Sequence, residues 1–189
     1  MFLTYGFKSV TMDDIAEKMS ISKKTIYTHF SNKTKLVEET TFGMFHCISN
    51  GIDAICELNS NPIEELFQIK RFVLENLKDE KSSPIYQLQK YYPQIHVNLT
   101  RKQFDLMQDC VSENLTRGVR QGYFRKEIDI PFITRIYFKV MVGIKDLETF
   151  PTTMFNMNYL LENYLEYHVR GIATEKGLHT LKKVQHQYN

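Results

Sequence analysis

Apolar residues recur at three- and four-residue intervals along most of the chain, and polar residues fill the positions between them. This spacing is typical of amphipathic α-helices, because it places the apolar side chains on one face of each helix. Glycine and proline are sparse, with 8 and 5 residues among 189, and most prolines fall at breaks between the apolar repeats. The pattern therefore predicts an all-α protein.

A short helix is predicted to begin after Thr11, which is a preferred N-cap residue. Asp14 stands three residues later, where its carboxylate can bond back to the cap. One buried face of this helix is predicted to consist of Ile15, Ala16 and Met19. Ahead of it, residues 2–5 predict the last turn of an earlier helix, which Gly6 ends.

A second short helix is predicted after a turn at residues 20 and 21. Ser22 can cap this helix, and Ile26 and Phe30 lie on its buried side. Ser31 is predicted to cap the helix that follows. Two short helices joined by a tight turn suggest a helix-turn-helix.

The rest of the chain predicts longer helices separated by polar, proline-containing breaks, one of them at residues 81–84. The predicted helices span residues 32–58, 62–78, 85–92, 93–121, 131–148 and 152–174. After Gly177 the sequence is polar and predicts a frayed tail.

Composition excludes several classes of protein. No run of eighteen apolar residues exists and the N-terminus carries no secretion signal, so we expect a cytoplasmic protein. Cys47, Cys56 and Cys110 lack metal-type spacing, and a helix would place the first two on opposite faces. The chain has no glycine-rich phosphate loop, no paired histidines and no nucleophile motif. We therefore predict no enzyme activity, no metal and no cofactor.

Charge becomes informative only when its position is considered, because the net charge is just +2. Between Lys18 and Lys35 the chain contains basic residues and no acidic residue. The basic residues are Lys18, Lys23, Lys24, His29, Lys33 and Lys35. A surface of this kind suits phosphate groups, and its position on the predicted helix-turn-helix favours DNA as the partner.

The same segment carries a family resemblance. Gly6-Phe7, the segment VTMDDIA from Val10, the segment ISKKTIYTHF from Ile21, and Asn32-Lys33 together resemble the DNA-binding domain of TetR-family repressors. The resemblance covers about the first forty residues without a gap. It implies a homodimer that binds double-stranded DNA at a palindromic operator.

The resemblance also implies which residues contact DNA. They are Thr11, Lys23, Lys24, Thr25, Tyr27, Thr28, His29 and Lys33. Local geometry independently favours an exposed Tyr27, because it lies about 100° around the helix from the buried Ile26. Lys23 and Lys24 can donate either to guanine or to phosphate, and the sequence does not choose between these. Lys33 matches the position that binds a phosphate in the family.

Two features depart from the family pattern. Ser20 stands in the turn where the family usually has glycine, at a cost on the order of 1 kcal/mol. The first helix is truncated at Met1. Either the true start lies upstream, or residues before Met1 are absent from this chain, or DNA binding is impaired. The last possibility supports an alternative function, a helical ligand-binding or interaction protein with an impaired head.

The resemblance implies a domain division as well. We predict a DNA-binding domain over residues 1–44, a helical ligand-binding and dimerisation domain over 45–176, and a polar tail over 177–189. Candidate ligand-binding residues are Tyr86, Tyr92, Phe104 and Met107. Candidate dimer-interface residues are Ile136, Val140, Gly143, Leu160, Tyr164 and Tyr167. The function expected is a transcriptional repressor that an unknown small molecule releases from DNA.

Overall fold

The computed structural model describes residues 1–77 and 84–188, and its regular elements there are ten α-helices. They are α1 (Phe2–Tyr5), α2 (Met12–Met19), α3 (Lys23–His29), α4 (Lys33–Glu57), α5 (Pro62–Leu77), α6 (Pro84–Tyr91), α7 (Pro93–Arg120), α8 (Ile130–Gly143), α9 (Met157–Ile172) and α10 (Glu175–Tyr188). The all-α prediction is confirmed. The predicted break at residues 81–83 lies outside the described residues. No helix in the described ranges is both long and apolar enough to span a membrane.

The chain divides into two compact units that are not contiguous in sequence. The N-terminal unit joins Met1–Asn50 to Asn76–Gln103, and the C-terminal unit joins Gly51–Glu75 to Phe104–Asn189. Helices α4 and α7 therefore each contribute residues to both units. The domain division predicted at residues 44 and 45 stays a prediction.

The N-terminal unit buries a core to which the short helices and two later segments contribute. Its buried members are Phe2, Phe7, Val10, Met12, Ile15, Ala16, Ile26, Val37, Leu88, Ile95 and Leu99. The last three come from α6 and the first part of α7. Helices as short as α2 and α3 are marginal alone, so this added apolar surface stabilises them.

One predicted core residue of α2 is wrong, because Met19 is 61% exposed. Helix α2 ends at Met19, so no further turn continues the face on which it lies. Met12, one turn before Ala16, is buried instead. The buried face therefore starts earlier than the sequence predicted.

Two of the three predicted helix caps are confirmed. The amide of Asp14 donates to Thr11 Oγ1 at 3.1 Å, and the Thr11 amide donates to the Asp14 carboxylate at 2.7 Å. These bonds from Thr11 lower the pKa of Asp14. Ser22 Oγ accepts from the Thr25 amide at 3.0 Å. The Ser31 prediction is wrong: α4 begins at Lys33, and Asn32 Oδ1 accepts from the Lys35 amide at 2.9 Å.

The C-terminal unit has its own core, which includes Phe67, Leu115, Phe124, Leu165 and Val169. The predicted polar tail is wrong, because residues after Gly177 belong to α10, whose Leu181 and Val184 are buried. With Leu178 these apolar residues recur every three positions, so one face of α10 packs while its lysines remain exposed.

Helices α8 and α9 are shorter than predicted, since α8 ends at Gly143 and α9 begins at Met157. Asp146 accepts the amides of Glu148 and Thr149 at 3.0 and 2.7 Å, which forms a turn rather than further helix. Asn156 caps α9 by accepting from the Tyr159 amide at 2.8 Å.

Candidate nucleic-acid interface

The turn between α2 and α3 orients the second helix. Ser20 adopts the left-handed conformation, with φ 55° and ψ 39°, and the Ile21 amide donates to Ala16 O at 3.0 Å. Ser22 then caps α3, and Ile26 is buried in the core of the N-terminal unit. These contacts fix the rotation of α3 about its axis.

The rest of the surface of α3 faces solvent and carries six of the eight predicted DNA-binding residues. Lys23, Lys24, Thr25, Tyr27, Thr28 and His29 are all exposed. Tyr27 keeps 44% of its surface exposed, which confirms the exposure predicted for it. The structure therefore brings hydroxyl, ammonium, phenol and imidazole groups onto one exposed helix surface.

Local hydrogen bonds restrict two of the hydroxyl groups. Thr25 Oγ1 lies 2.8 Å from Ser22 Oγ, and Thr28 Oγ1 donates to the Thr25 carbonyl at 2.6 Å. The Thr28 hydroxyl hydrogen is thus committed to the backbone, while its oxygen lone pairs can still accept. Tyr27 has no such local bond among those described, so its phenol can donate outward.

An acidic residue of α2 pairs with α3, although the sequence between Lys18 and Lys35 contains no acidic residue. Lys23 Nζ donates to Asp13 Oδ2 at 2.8 Å, and both side chains are largely exposed. This hydrogen bond raises the pKa of Lys23. Lys35 is also paired, with Glu38 at 2.8 Å and Glu39 at 3.0 Å. In the part of the chain that the structure describes, no ion pair engages Lys24.

Lys33 lies at the first position of α4, close to the loop that precedes α2. Its ammonium group donates to the Lys8 carbonyl at 3.2 Å, and Thr11 lies in the same unit at the start of α2. Partial burial lowers the pKa of Lys33, and the charge of Asp14 acts in the opposite direction. Lys33 therefore starts a helix whose N-terminal amide groups and dipole favour anions, while its ammonium group contacts the loop before α2.

The predicted ligand residues are divided between the two units. Tyr86 is exposed on α6, and Tyr92 packs in the core of the N-terminal unit with its ring centroid 6.2 Å from that of Phe7. Phe104 and Met107 belong to the C-terminal unit, where the Phe104 ring lies 5.0 Å from Phe138. Whether any of the four binds a ligand stays a prediction.

The C-terminal unit contains a buried aromatic cluster that the sequence did not predict. Tyr137 and His168 lie 4.9 Å apart by ring centroid, and Tyr164 lies 5.6 Å from Tyr137. The Tyr164 hydroxyl and His168 Nε2 are buried without a hydrogen-bond partner among the described residues. Burial lowers the pKa of His168 to about 4 and raises that of Tyr164.

Of the predicted dimer residues, Ile136, Gly143 and Tyr167 are exposed and Leu160 is buried within the C-terminal unit. Val140 and Tyr164 are partly buried. Phe132 and Tyr159 are exposed on the same two helices and were not predicted. A Cβ atom added at Gly143 would meet no atom within 4 Å, so the space beside it is open.

A left-handed turn, a short helix anchored by one apolar residue and an exposed basic and hydroxylated surface define a helix-turn-helix DNA-binding protein. Residues 1–40 match the family described as bacterial regulatory proteins, tetR family. This part of the chain therefore carries the DNA-binding domain of the TetR family, whose members are DNA-binding transcriptional regulators rather than enzymes. They bind operator DNA as dimers and respond to small-molecule ligands.

Relatives agree with this assignment. The HTH-type transcriptional repressor KstR2 of Mycobacterium tuberculosis is 23% identical over 142 residues, which cover 71% of this chain and 69% of KstR2. The biofilm operon negative transcriptional regulator IcaR of Staphylococcus aureus is 25% identical over 130 residues, covering 55% of this chain and 70% of IcaR. A TetR-family regulator from Agrobacterium tumefaciens has a similar fold, with a TM-score of 0.71, 18% identity and 92% of each chain covered.

Proposed function

We propose that this regulator is a homodimeric repressor that acts in the cytoplasm and contacts a palindromic operator through α3. The exposed surface of α3 carries this proposal, because Ile26 holds the helix while the other side chains remain available to DNA. The relatives KstR2 and IcaR are named as repressors, which favours repression over activation.

Base contacts are assigned to the side chains nearest the start and middle of α3. Lys24 can donate to guanine acceptors or to phosphate, and Tyr27 can donate its phenol hydrogen to either. Thr25 and Thr28 offer oxygen lone pairs and methyl groups to base edges. Lys23 can contribute fully to DNA binding only when its ammonium group leaves the Asp13 carboxylate and contacts DNA instead.

Phosphate contacts are assigned to groups on either side of α3. Lys33 offers a cation beside the N-terminal amides of α4. His29 lies in the last turn of α3, and Thr11 begins α2. These contacts fix the position of α3 on the duplex, while specificity comes from base contacts.

The dimer is proposed to form through the exposed sides of α8 and α9. Phe132, Ile136, Val140 and Gly143 recur at helical spacing on α8, and Tyr159 and Tyr167 lie two turns apart on α9. A single short recognition helix makes too few contacts for tight specific binding, so two half-sites are needed. Leu160 and Tyr164 are assigned to supporting this surface from within.

The effector is proposed to bind in the C-terminal unit, with Phe104 and Met107 among its apolar contacts. The Tyr164 hydroxyl and His168 Nε2 can hydrogen-bond to a ligand, because they have no hydrogen-bond partner among the described residues. Because burial keeps His168 neutral at pH 7, these groups favour an uncharged, largely apolar ligand that carries a hydroxyl or carbonyl. The ligand-binding roles of Tyr86 and Tyr92 stay predictions from the sequence.

The α3 assignment is tested with Tyr27→Ala on the duplex that the natural chain selects from a random pool. We expect affinity to fall roughly 10- to 100-fold, as for the loss of one good contact. Leu58→Ala removes an exposed apolar side chain from the C-terminal unit and should not change affinity. Unchanged binding by Tyr27→Ala, with helicity preserved by circular dichroism, would overturn the assignment.

A further inference from the structure

Two lysines in the N-terminal unit share one aromatic ring. Lys8 Nζ lies 5.2 Å from the centroid of the Tyr91 ring, and Lys90 Nζ lies 5.6 Å from the same centroid. Lys90 also lies 3.5 Å from the Tyr86 hydroxyl. Within residues 1–77 and 84–188 no carboxylate forms an ion pair with either lysine. We call Lys8, Tyr86, Lys90 and Tyr91 the α6 basic surface.

The two ammonium groups of this surface lie close to one ring, and no described carboxylate pairs with them. A cation over an aromatic ring is attracted by about 0.5–1 kcal/mol at exposed sites, but two ammonium groups at one ring repel each other. Both lysines and both tyrosines are exposed. An anion bound beside them would offset the repulsion and be contacted by two cations and a phenol.

The α6 basic surface is continuous with the helix-turn-helix. Lys33, the proposed phosphate contact, donates to the backbone carbonyl of Lys8. The Lys8 amide in turn donates to Gln87 Oε1 of α6 at 3.1 Å. A side chain at Gly6 would collide with Gln87, since a Cβ there would lie 2.3 Å from its amide nitrogen. Close packing thus holds α6 against the loop that leads into α2.

Duplex DNA carries negative charge along its whole length, which can match lysines that lie beyond the helix-turn-helix. It carries about one negative charge per 1.7 Å of helix axis, and its phosphates extend past any half-site. We propose that the α6 basic surface binds the DNA backbone flanking the sequence that α3 contacts. This inference rests on the proposed function. It assigns a sequence-independent share of operator affinity to a helix outside the helix-turn-helix.

The test compares two duplexes carrying the selected operator, one ending at the outer edges of the half-sites and one extended by about one helical turn on each side. The variant is Lys8→Gln combined with Lys90→Gln. Lys102→Gln is a matched control, because Lys102 belongs to the same unit and lies 5.8 Å from the Phe42 ring centroid. Affinity is measured by fluorescence anisotropy over a range of salt concentrations.

On the extended duplex, we expect the double variant to bind roughly tenfold more weakly. Its log–log salt slope should be shallower by about 1.8 per protomer, the value for two lost phosphate contacts. On the short duplex it should match the natural chain, and Lys102→Gln should match it on both. Equal loss on both duplexes, or no loss on either, would overturn the α6 assignment. Tyr27→Ala separates the two proposals, because it should weaken binding to both lengths whatever the lysines do.

A second, independent inference concerns two thiols of the C-terminal unit. Cys56 Sγ on α4 lies 3.6 Å from Cys110 Sγ on α7. Both cysteines are free thiols, Cys56 is partly exposed, and Cys47 is exposed elsewhere on α4. The contact with Cys110 lowers the pKa of Cys56, and the same contact together with burial raises that of Cys110. One thiol is therefore the better nucleophile and the other lies within reach to resolve it.

We propose that Cys56 and Cys110 form an oxidation site for hydroperoxides. The Cys56 thiolate attacks one oxygen of hydrogen peroxide, the O–O bond breaks, and the products are a Cys56 sulfenic acid and, after protonation, water. Cys110 sulfur then attacks Cys56 sulfur, and the sulfenic hydroxyl leaves with the Cys110 proton as a second water. Two thiols and one peroxide thus give one disulfide and two waters, and a dithiol reverses the change.

The test treats a Cys47→Ser variant of the full chain with hydrogen peroxide and maps its peptides by mass spectrometry. We expect both remaining thiols to disappear and a linked Cys56–Cys110 peptide pair to form, which dithiothreitol reverses. With Cys110→Ser added, Cys56 should stop at the sulfenic acid, which dimedone traps. Retention of both thiols, or a link only between separate chains, would overturn the proposal.

Discussion

Asp13 of α2 accepts a hydrogen bond from Lys23 of α3 at 2.8 Å, so a carboxylate lies on the surface that we propose to face DNA. Phosphate repels this carboxylate, while the pairing holds Lys23 in place. Asp13 therefore competes with DNA for Lys23. A negative group of this kind weakens non-specific binding more than specific binding, since specific binding also has base contacts.

Asp13→Asn should release Lys23 and tighten binding to random-sequence duplex severalfold, with a smaller gain on the operator. The ratio of operator affinity to random-sequence affinity should therefore fall. Glu17→Gln is the control, because it removes the same charge from the exposed side of the same helix without breaking a described ion pair. Competition titrations at fixed salt measure both ratios, and equal effects of the two variants would contradict the role of the pairing.

Ser20→Gly should stabilise the N-terminal unit, because Ser20 has a φ of 55° in the turn. Glycine adopts this conformation without the Cβ penalty, so we expect a gain of about 0.5–1 kcal/mol in the free energy of unfolding. Asn59, with a φ of 53°, is a comparison site where asparagine already tolerates the conformation. Urea unfolding should show a smaller gain for Asn59→Gly, and a loss of stability at Ser20 would contradict the argument.

Arg117→Met should strongly destabilise the C-terminal unit. The Glu65 carboxylate is 2% exposed and accepts from Arg117 and from Asn114 Nδ2. Removing Arg117 leaves a buried charge uncompensated, and such changes typically cost about 3–5 kcal/mol.

Two further variants make that prediction specific. Arg117→Met combined with Glu65→Leu should recover most of the loss, because neither charge of this buried pair remains. Arg71→Met breaks the exposed pair with Glu75 and should cost less than about 1 kcal/mol. If the Arg117 and Arg71 variants unfold at the same urea concentration, burial of the ion pair is not what makes it important.

His168 should make the protein sensitive to mild acid. Burial lowers its folded-state pKa to about 4, whereas an unfolded histidine titrates near 6.5. Between these values only the unfolded chain takes up the proton, so stability is lost as the pH falls from 6.5 toward 4. The loss approaches about 1.4 kcal/mol per pH unit in this window.

His168→Phe removes the titration and keeps an aromatic ring beside Tyr137. Its free energy of unfolding should fall less than that of the natural chain between pH 7 and pH 5. Parallel curves for the two proteins would show that His168 is not the responsible group.

Features set by neighbouring residues could be predicted from the sequence. Thr11 and Asp14 form the expected cap, Ser20 forms the expected turn, and Tyr27 is exposed because Ile26 is buried. Each depends on residues within one or two helical turns. The helical class followed likewise from local periodicity.

Contacts between distant segments could not be predicted in this way. Cys56 and Cys110 are 54 positions apart, and Lys8 and Gln87 are 79 apart. A single sequence contains no signal that pairs such positions. Leu181 was missed for a different reason: the apolar residues of α10 are few, so average polarity concealed their regular spacing.

The central claim is that a dimer binds a palindromic operator through α3, and selection of bound duplexes from a random pool tests it most directly. The account predicts that the full chain enriches an inverted repeat whose half-sites are centred about 10 base pairs apart, or a multiple of this. It also predicts that Tyr27→Ala enriches no such repeat. Failure of a folded, dimeric natural chain to enrich any sequence would contradict the account.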